Sequence, residues 1–530
     1  MRTPLRLVSG LRSASALRGI TAVFFALAFA LPAIGQGPED ILRDFKRYFR
    51  TVKTDEDRVE AVRTLEDAES PAAVKELIKL LSHKVPEIAK SAQRVLAGYE
   101  EEATFAKAIE GLVDMKDGPA KARLIRALGD GSHKQAEPAM IEVLADTKSD
   151  EVQFAALRSL ARIGSAESVG PAVAVAIESG SSLVRAAAAD TAGDLRVEDV
   201  GESLIPLLED SAWQVQSAAA RALGKIRVET AIDPLIDRME EGGRIEVECA
   251  DALFEITGTD LGIEVEAWRR RIAAWRKIDG WRIPTDGELD KARASREKNA
   301  LLYAAREGAA TFGGIPTTST AVIFIIDVSG SMDDVVVERE RFESGYEDFR
   351  KLTIVKTELA RTIDSLDENT HFNIVSFATD TDSWKRGVVP ANVINRASAK
   401  DWVAKLEPIG GSEAQELAGA GLGGSANLKA GKTNTFKALM SAFGIDPEAR
   451  KAPDVLELAE ENRIDTVFFL SDGRPSTGKL TDTQLIVDEV LRLNDSFGIV
   501  FHTISIGQFQ SGFLKSLADG TSGVFVDLGR

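Results

Sequence analysis

At 530 residues the chain is too long for one ordinary hydrophobic core, and its length predicts two to four domains. With 44% hydrophobic and 28% charged residues it has the composition of a folded protein, and a net charge of −18 argues against nucleic acid as a partner, since phosphate neutralisation needs clustered Lys and Arg. The single cysteine, Cys249, excludes a disulfide within the chain; it lies in the helical text VECADALFEI, where a small buried side chain is expected rather than a reactive thiol.

The first 35 residues carry Arg2, Arg6, Arg12 and Arg18 without an acid, then the apolar run ITAVFFALAFALPAIG ending in small residues. This pattern predicts a secretory signal over 1–35, cut after Gly35, with an uncleaved N-terminal membrane anchor as the alternative. Either way the remainder is expected to be exported to a periplasm, a cell surface or the medium, with no further membrane span.

Six segments that follow align with one another: IAKSAQRVLAGY from 88, AKARLIRALGDG from 120, VQFAALRSLARI from 152, VRAAAADTAGDL from 184, VQSAAARALGKI from 215 and VECADALFEITG from 247. Their starts lie 32, 32, 32, 31 and 32 residues apart, and apolar residues recur within each at helical spacing. Between them lie SPAAVKELIKLL, EPAMIEVLAD, GPAVAVAIE and DPLIDRM, with Pro71, Pro138, Pro171 and Pro234 near the starts, where a missing N–H costs little. Each unit is therefore expected to be a pair of antiparallel helices that buries its apolar face only by stacking, giving an all-α solenoid over 36–276. The units resemble HEAT repeats of the short bacterial type over about 59–257. The tail TGTDLGIEVEAWRRRIAAWRK resembles the segment that closes such arrays, with Trp268 and Trp275 capping the last repeat. Some members of this repeat class are bilin lyases; the resemblance more generally implies a concave surface that binds a protein.

Residues 277–319 pass from charged helical text to TFGGIPTTST, which reads as a helical and Gly/Pro-containing linker. Beyond it the runs AVIFIID, HFNIVSFA, DTVFFLSD, IVFHTISIG and GVFVDL alternate with helical stretches, predicting a doubly wound, mostly parallel sheet in a domain over 320–530. Ligands of such sheets bind beyond the carboxyl ends of the strands. There the first strand ends in Asp327-Val-Ser329-Gly-Ser331, whose three side-chain oxygens can converge if the chain turns at Gly330. A carboxylate with two hydroxyls makes a hard oxygen site suited to Mg²⁺ or Mn²⁺. A strand-end phosphotransferase would need an acid at 329, which is serine.

Two segments mimic phosphate-binding loops. SDGRPSTGK (471–479) lacks the Ser or Thr after its lysine and has Pro475 in its middle; ANLKAGKT (426–433) follows a Gly- and Ala-rich loop instead of a strand. As parts of one metal site the same residues agree, with Asp472 at a strand end and Thr433 before a helix. Asp327-x-Ser329-x-Ser331, Thr433 in GKTNT and Asp472 in FFLSDG resemble, in this order, the metal-ion-dependent adhesion site of von Willebrand factor type A domains. The resemblance covers about 320–530 and implies a Rossmann-like domain in which Asp327, Ser329, Ser331, Thr433 and Asp472 hold Mg²⁺ or Mn²⁺, with Ca²⁺ as a third possibility. It also implies an open coordination position for an Asp or Glu carboxylate of a partner protein. The family's short link before the threonine is here about twenty residues longer, and Ser412 in GGS is a rival for the hydroxyl position. His371 and His502 are expected in the core or at sheet edges. The run DDVVVERERFESGYEDFRK reads as a solvated loop and helix start.

The leading functional expectation is a non-enzymatic, exported scaffold with one protein on the solenoid and another at the metal. The alternatives are a metal-dependent phosphohydrolase, a bilin-lyase-like enzyme, or a purely structural ion.

Overall fold

The computed structural model describes residues 37–300, 311–316, 318–336, 346, 348–410, 431–449, 453–506 and 511–528. The expected signal over 1–35, Ser412 and part of the charged run after Asp333 lie outside the described residues. Among the described residues no helix is long and apolar enough to cross a membrane. The chain divides into two compact units, one ending at Met115 and the other beginning at Lys116.

The first unit is helical, with helices Pro38–Thr51, Asp55–Arg63, Pro71–Leu80, Pro86–Ala97 and Glu102–Asp114. Pro71 opens its helix as expected, and the preceding Ser70 hydroxyl accepts the Ala73 N–H at 3.2 Å, satisfying one of the donors a helix start leaves open.

The second unit begins with the same pattern. Helices Pro119–Asp130, Asp150–Ile163, Ser182–Leu195, Trp213–Ile226 and Ile245–Thr257 keep the sequence period and stack on one another. Hydroxyls tie one repeat to the next, with Ser159 Oγ donating to the Ile125 carbonyl at 3.2 Å and Thr191 Oγ1 to that of Leu157 at 3.1 Å. Ion pairs recur at the same period, Arg221 with Asp190 and Lys225 with Asp194. One expectation fails locally: Pro171 does not open its helix. The helix runs Ala166–Ala176 and starts after Ser165, whose hydroxyl accepts the Ser168 N–H, so the serine cap outranks the proline as a start signal. Cys249 is fully buried, and that burial pushes its thiol up to about 12.

Small residues let these helices approach. A Cβ added at Gly224 would stand 2.8 Å from Ala252 Cα, and one at Gly193 the same distance from Ala222 Cα. Gly224→Ala is therefore expected to destabilise the protein by about 1–2 kcal/mol in chemical denaturation, because overpacking outweighs the ~1 kcal/mol of helix propensity that alanine brings. A more stable variant would show that the close approach is not limiting.

The array ends in the helix Val265–Trp275, where Trp268 is fully buried and its indole N–H donates to the Gly262 carbonyl at 2.8 Å. Trp275 stacks on Trp281 with ring centroids 5.3 Å apart. The helix Asp286–Ala300 follows.

The α/β part contains β1 (Thr311–Phe312), β2 (Ile315–Pro316), β3 (Ala321–Asp327), β4 (His371–Phe377), β5 (Thr381–Ser383), β6 (Val389–Pro390), β7 (Thr466–Ser471), β8 (Val500–Ser505) and β9 (Phe525–Asp527). The central strands lie in the order β4-β3-β7-β8-β9, all parallel, with Ile325 opposite both Val375 and Phe469. Antiparallel β5 and β6 pair with β4. Every residue of β3 and β7 is buried, which is why these strands read as unbroken apolar runs.

The hairpin β1–β2 corrects the linker reading of TFGGIP. Gly313 and Gly314 turn it with positive φ, and Phe312 enters the core edge-on to Phe324 and Phe468, at 5.5 and 5.7 Å. His502 sits within β8 with its ring 4.9 Å from that of Phe468 and its Nδ1 accepting the Val524 N–H. Burial and the charge of Arg244 hold it down to about 4, so it is neutral in the fold at pH 7.

The helical array meets the sheet at the amino ends of the strands. Arg244 Nη1 donates to the carbonyls of Asp465 at 3.0 Å and Gly498 at 2.8 Å, and its Nε donates to Glu248. Arg158 pairs with Asp495 at 3.0 Å.

Candidate metal centre

β3 and β7 are neighbours, but the chain leaves β3 towards β4 and leaves β7 towards β8, on its opposite side. The carboxyl ends of two such strands flank the crevice where ligands of open α/β sheets bind. Asp327 is the last residue of β3, and Asp472 directly follows β7. Both are buried.

The turn after β3 folds back on Asp327. Its Oδ1 accepts the Ser329 N–H at 2.8 Å, and its Oδ2 accepts the Ser471 hydroxyl at 2.7 Å. Ser329 and Ser331 place their hydroxyls 3.2 Å apart, and Ser331 Oγ donates to Asp472 Oδ1 at 2.8 Å. Lys351, the first residue of the helix Lys351–Ser365, puts its Nζ 2.6 Å from Asp472 Oδ2. Burial, and secondly the charge of Asp472, raise the Asp327 carboxyl to about 7.

Thr433 reaches the same spot. A Cβ at Gly473 would lie 3.2 Å from Thr433 Oγ1 and 3.7 Å from Ser331 Oγ, so both hydroxyls border the glycine that follows Asp472. The segment that imitates a phosphate loop is what holds the threonine. Thr433 N donates to Ser476 Oγ, Ser476 N returns a bond to the Thr433 carbonyl, both at 2.9 Å, and the Asn434 side chain packs against Gly478. These two backbone donors are thus committed within the protein and not turned towards a phosphate.

The longer link before Thr433 leaves and returns at one point. Ile409 N donates to the Val328 carbonyl and Gly330 N to that of Gly431, and a Cβ at Gly431 would collide with the Ile409 carbonyl. Gly410 and Gly431 therefore stand together beside the turn, whatever the intervening segment does.

The five residues named from the sequence thus lie together at one end of the sheet. Sequence reasoning missed three others. Ser471, beside Asp472 in the text, bonds Asp327; Lys351 is separated from the motif by the charged run; Asp465 ties the opposite strand ends by accepting the N–H groups of Thr320 and Ala321. Among the described residues no three His, Cys, Asp or Glu side chains gather to hold a metal. The donors here are two carboxylates and three hydroxyls, an oxygen set of the kind Mg²⁺ and Mn²⁺ take. Two buried carboxylates with one ammonium leave the pocket short of positive charge, which a divalent ion would supply.

A family model for HEAT repeats matches residues 105–173 and 170–253. Inter-alpha-trypsin inhibitor heavy chain H2 from Homo sapiens is 27% identical over 207 residues, covering 38% of this chain and 17% of that protein. Heavy chain H6 from Homo sapiens is 27% identical over 178 residues, covering 33% and 10%. The chain thus spans under a fifth of the length of these relatives. Among solved structures, the conserved hypothetical protein BatB from Bacteroides thetaiotaomicron aligns with 39% of this chain and 90% of its own at 14% identity and a TM-score of 0.26. Residues 105–253 are therefore a HEAT-repeat region, followed in the chain by an α/β domain with a mostly parallel sheet.

Proposed function

We propose that the α/β domain is a von Willebrand factor type A domain whose Asp327, Ser329, Ser331, Thr433 and Asp472 hold one Mg²⁺ or Mn²⁺, with Ca²⁺ the weaker alternative. The observation that carries this is the meeting of Asp327 and Asp472 at the crevice between β3 and β7, where the Ser331 hydroxyl donates to Asp472 and lies 3.2 Å from that of Ser329. The partial likeness to inter-alpha-trypsin inhibitor heavy chains supports the same reading.

Hydroxyl ligands leave a divalent ion under-neutralised, so it keeps affinity for an external carboxylate. The ion is the point at which an exposed Asp or Glu of a partner protein docks, while the HEAT array offers its own surface to a second protein. In this role the chain is a non-enzymatic scaffold acting outside the cytoplasm.

Calorimetric titration of Mg²⁺ and Mn²⁺ into the whole chain, wild type beside Asp472→Ala, tests the site. One ion per chain for the wild type and none for the folded variant is expected. At an ion concentration 100 times Kd, binding stabilises the wild type by about 2.7 kcal/mol. A folded wild type that takes up no ion removes the reading, and partner binding that is equal in Mg²⁺ and in EDTA removes the carboxylate role.

A further inference from the structure

Lys351 is held in place by more than its ion pair. Its backbone N–H donates to the Asp334 carbonyl at 3.0 Å, it opens the helix Lys351–Ser365, and its Nζ also reaches the Ser331 carbonyl at 3.3 Å. Its side chain is 14% exposed and that of Asp472 is wholly covered. The neighbouring Arg350 is engaged elsewhere, paired with Asp333, so the positive charge at Asp472 comes from Lys351.

The two oxygens of Asp472 are divided between two uses. Oδ1 faces the Ser331 hydroxyl, on the side where the serines and Thr433 gather, while Oδ2 belongs to Lys351. A carboxylate shared in this way offers a divalent ion only the oxygen that now accepts the Ser331 hydroxyl, with its charge offset by the ammonium. The donors at the site then carry a net charge of about −1 instead of −2.

We propose that Lys351 is an affinity-setting residue of this site: a cation built into the chain that shares Asp472 with the divalent ion and weakens its binding. The inference rests on the metal-site reading above. A second consequence follows from the same geometry. Without Lys351 the two buried carboxylates have no positive charge beside them, so the ion-free protein must lose stability as its affinity for the ion rises. A lysine that only packed the turn would move both quantities in the same direction.

The test is titration of Mg²⁺ into the whole chain, with thermal melts in EDTA, for wild type, Lys351→Met and Lys351→Arg. Expected for Lys351→Met is an ion affinity at least about tenfold tighter and a lower melting temperature in EDTA, whereas Lys351→Arg, which keeps the charge, stays near wild type in both. A wild type that binds the ion and a Lys351→Met that binds it equally or more weakly overturns the inference while leaving the site intact. Should Lys351→Met fail to fold, Lys351→Gln takes its place under the same criteria. If wild type and folded variants all fail to bind, the site reading itself falls and this inference with it.

Discussion

Arg244→Ala is expected to cost about 3–5 kcal/mol of stability, more than any other single surface-to-sheet contact described above. The guanidinium is at once a partner of Glu248, a donor to two strand-end carbonyls and a cation 4.8 Å over the Trp213 ring. Its side chain is 11% exposed and that of Glu248 is 13% exposed. Removing it leaves Glu248 with a buried charge whose Oε2 already lacks a hydrogen-bond partner among the described residues. It also strips donors from the Asp465 and Gly498 carbonyls, where the array meets the sheet. Because the contact joins the two, the variant's array and sheet should unfold in separate denaturant transitions where the wild type unfolds them together. Arg244→Lys keeps the charge but loses the fork that reaches Glu248 and the two carbonyls at once, and should recover part of the loss. A loss below about 1 kcal/mol, with unchanged cooperativity, would show that Arg244 is not the tie.

What was legible in the sequence is what has a period or a strand-end position. The repeat spacing of 31–32 residues gave the helix pairs, because each unit needs the same apolar stripe to stack. The five apolar runs became β3, β4, β7, β8 and β9, and the central β3 and β7, covered on both faces, carry no polar alternation. Asp327 and Asp472 stood out as acids ending such runs.

The rest depends on three-dimensional neighbours that leave no mark in local text. Phe312 lies in a stretch whose glycines and proline suggest a linker, yet one aromatic ring docks it into the core of the sheet. Lys351 lies twenty residues from Ser331 in the chain, and only its three-dimensional placement brings its ammonium to Asp472. Arg244 is one of many arginines in a helical array, and nothing around it in the sequence marks the strand ends it will meet. The loop 471–479 was misleading for a related reason. Its glycines serve close packing against Thr433 and Asn434 in place of phosphate, and a pattern of residue types does not say what its backbone faces.

Asp327→Asn is expected to make the ion-free protein more stable while ending its response to metal. Asparagine keeps the shape of the side chain and an acceptor for the Ser329 N–H, and its amide can donate to the Ser471 hydroxyl that the aspartate now accepts from. What it removes is a buried charge beside that of Asp472. The direction with pH follows from where the proton sits. Burial and Asp472 raise the Asp327 carboxyl from 3.8 to about 7, so across that interval the folded chain holds a proton that the unfolded chain has released. Stability of the wild type in EDTA therefore falls as pH rises through this window, and above about pH 7 the whole penalty is in force, up to ~4 kcal/mol. The asparagine carries no such penalty, so the two chains should melt alike near pH 4 and diverge as pH rises, the variant being the more stable at pH 8. His502, held down to about 4, loses stability in the opposite direction as pH falls, but it does so in both chains and cancels in their difference. Saturating Mg²⁺ at pH 8 should stabilise the wild type and leave the variant unmoved, because the ion replaces the missing positive charge only where the carboxylate remains. A variant no more stable than wild type at pH 8 in EDTA would mean that Lys351 and the hydroxyls already compensate the charge of Asp327. The aspartate would then cost the fold nothing, whether or not an ion is bound.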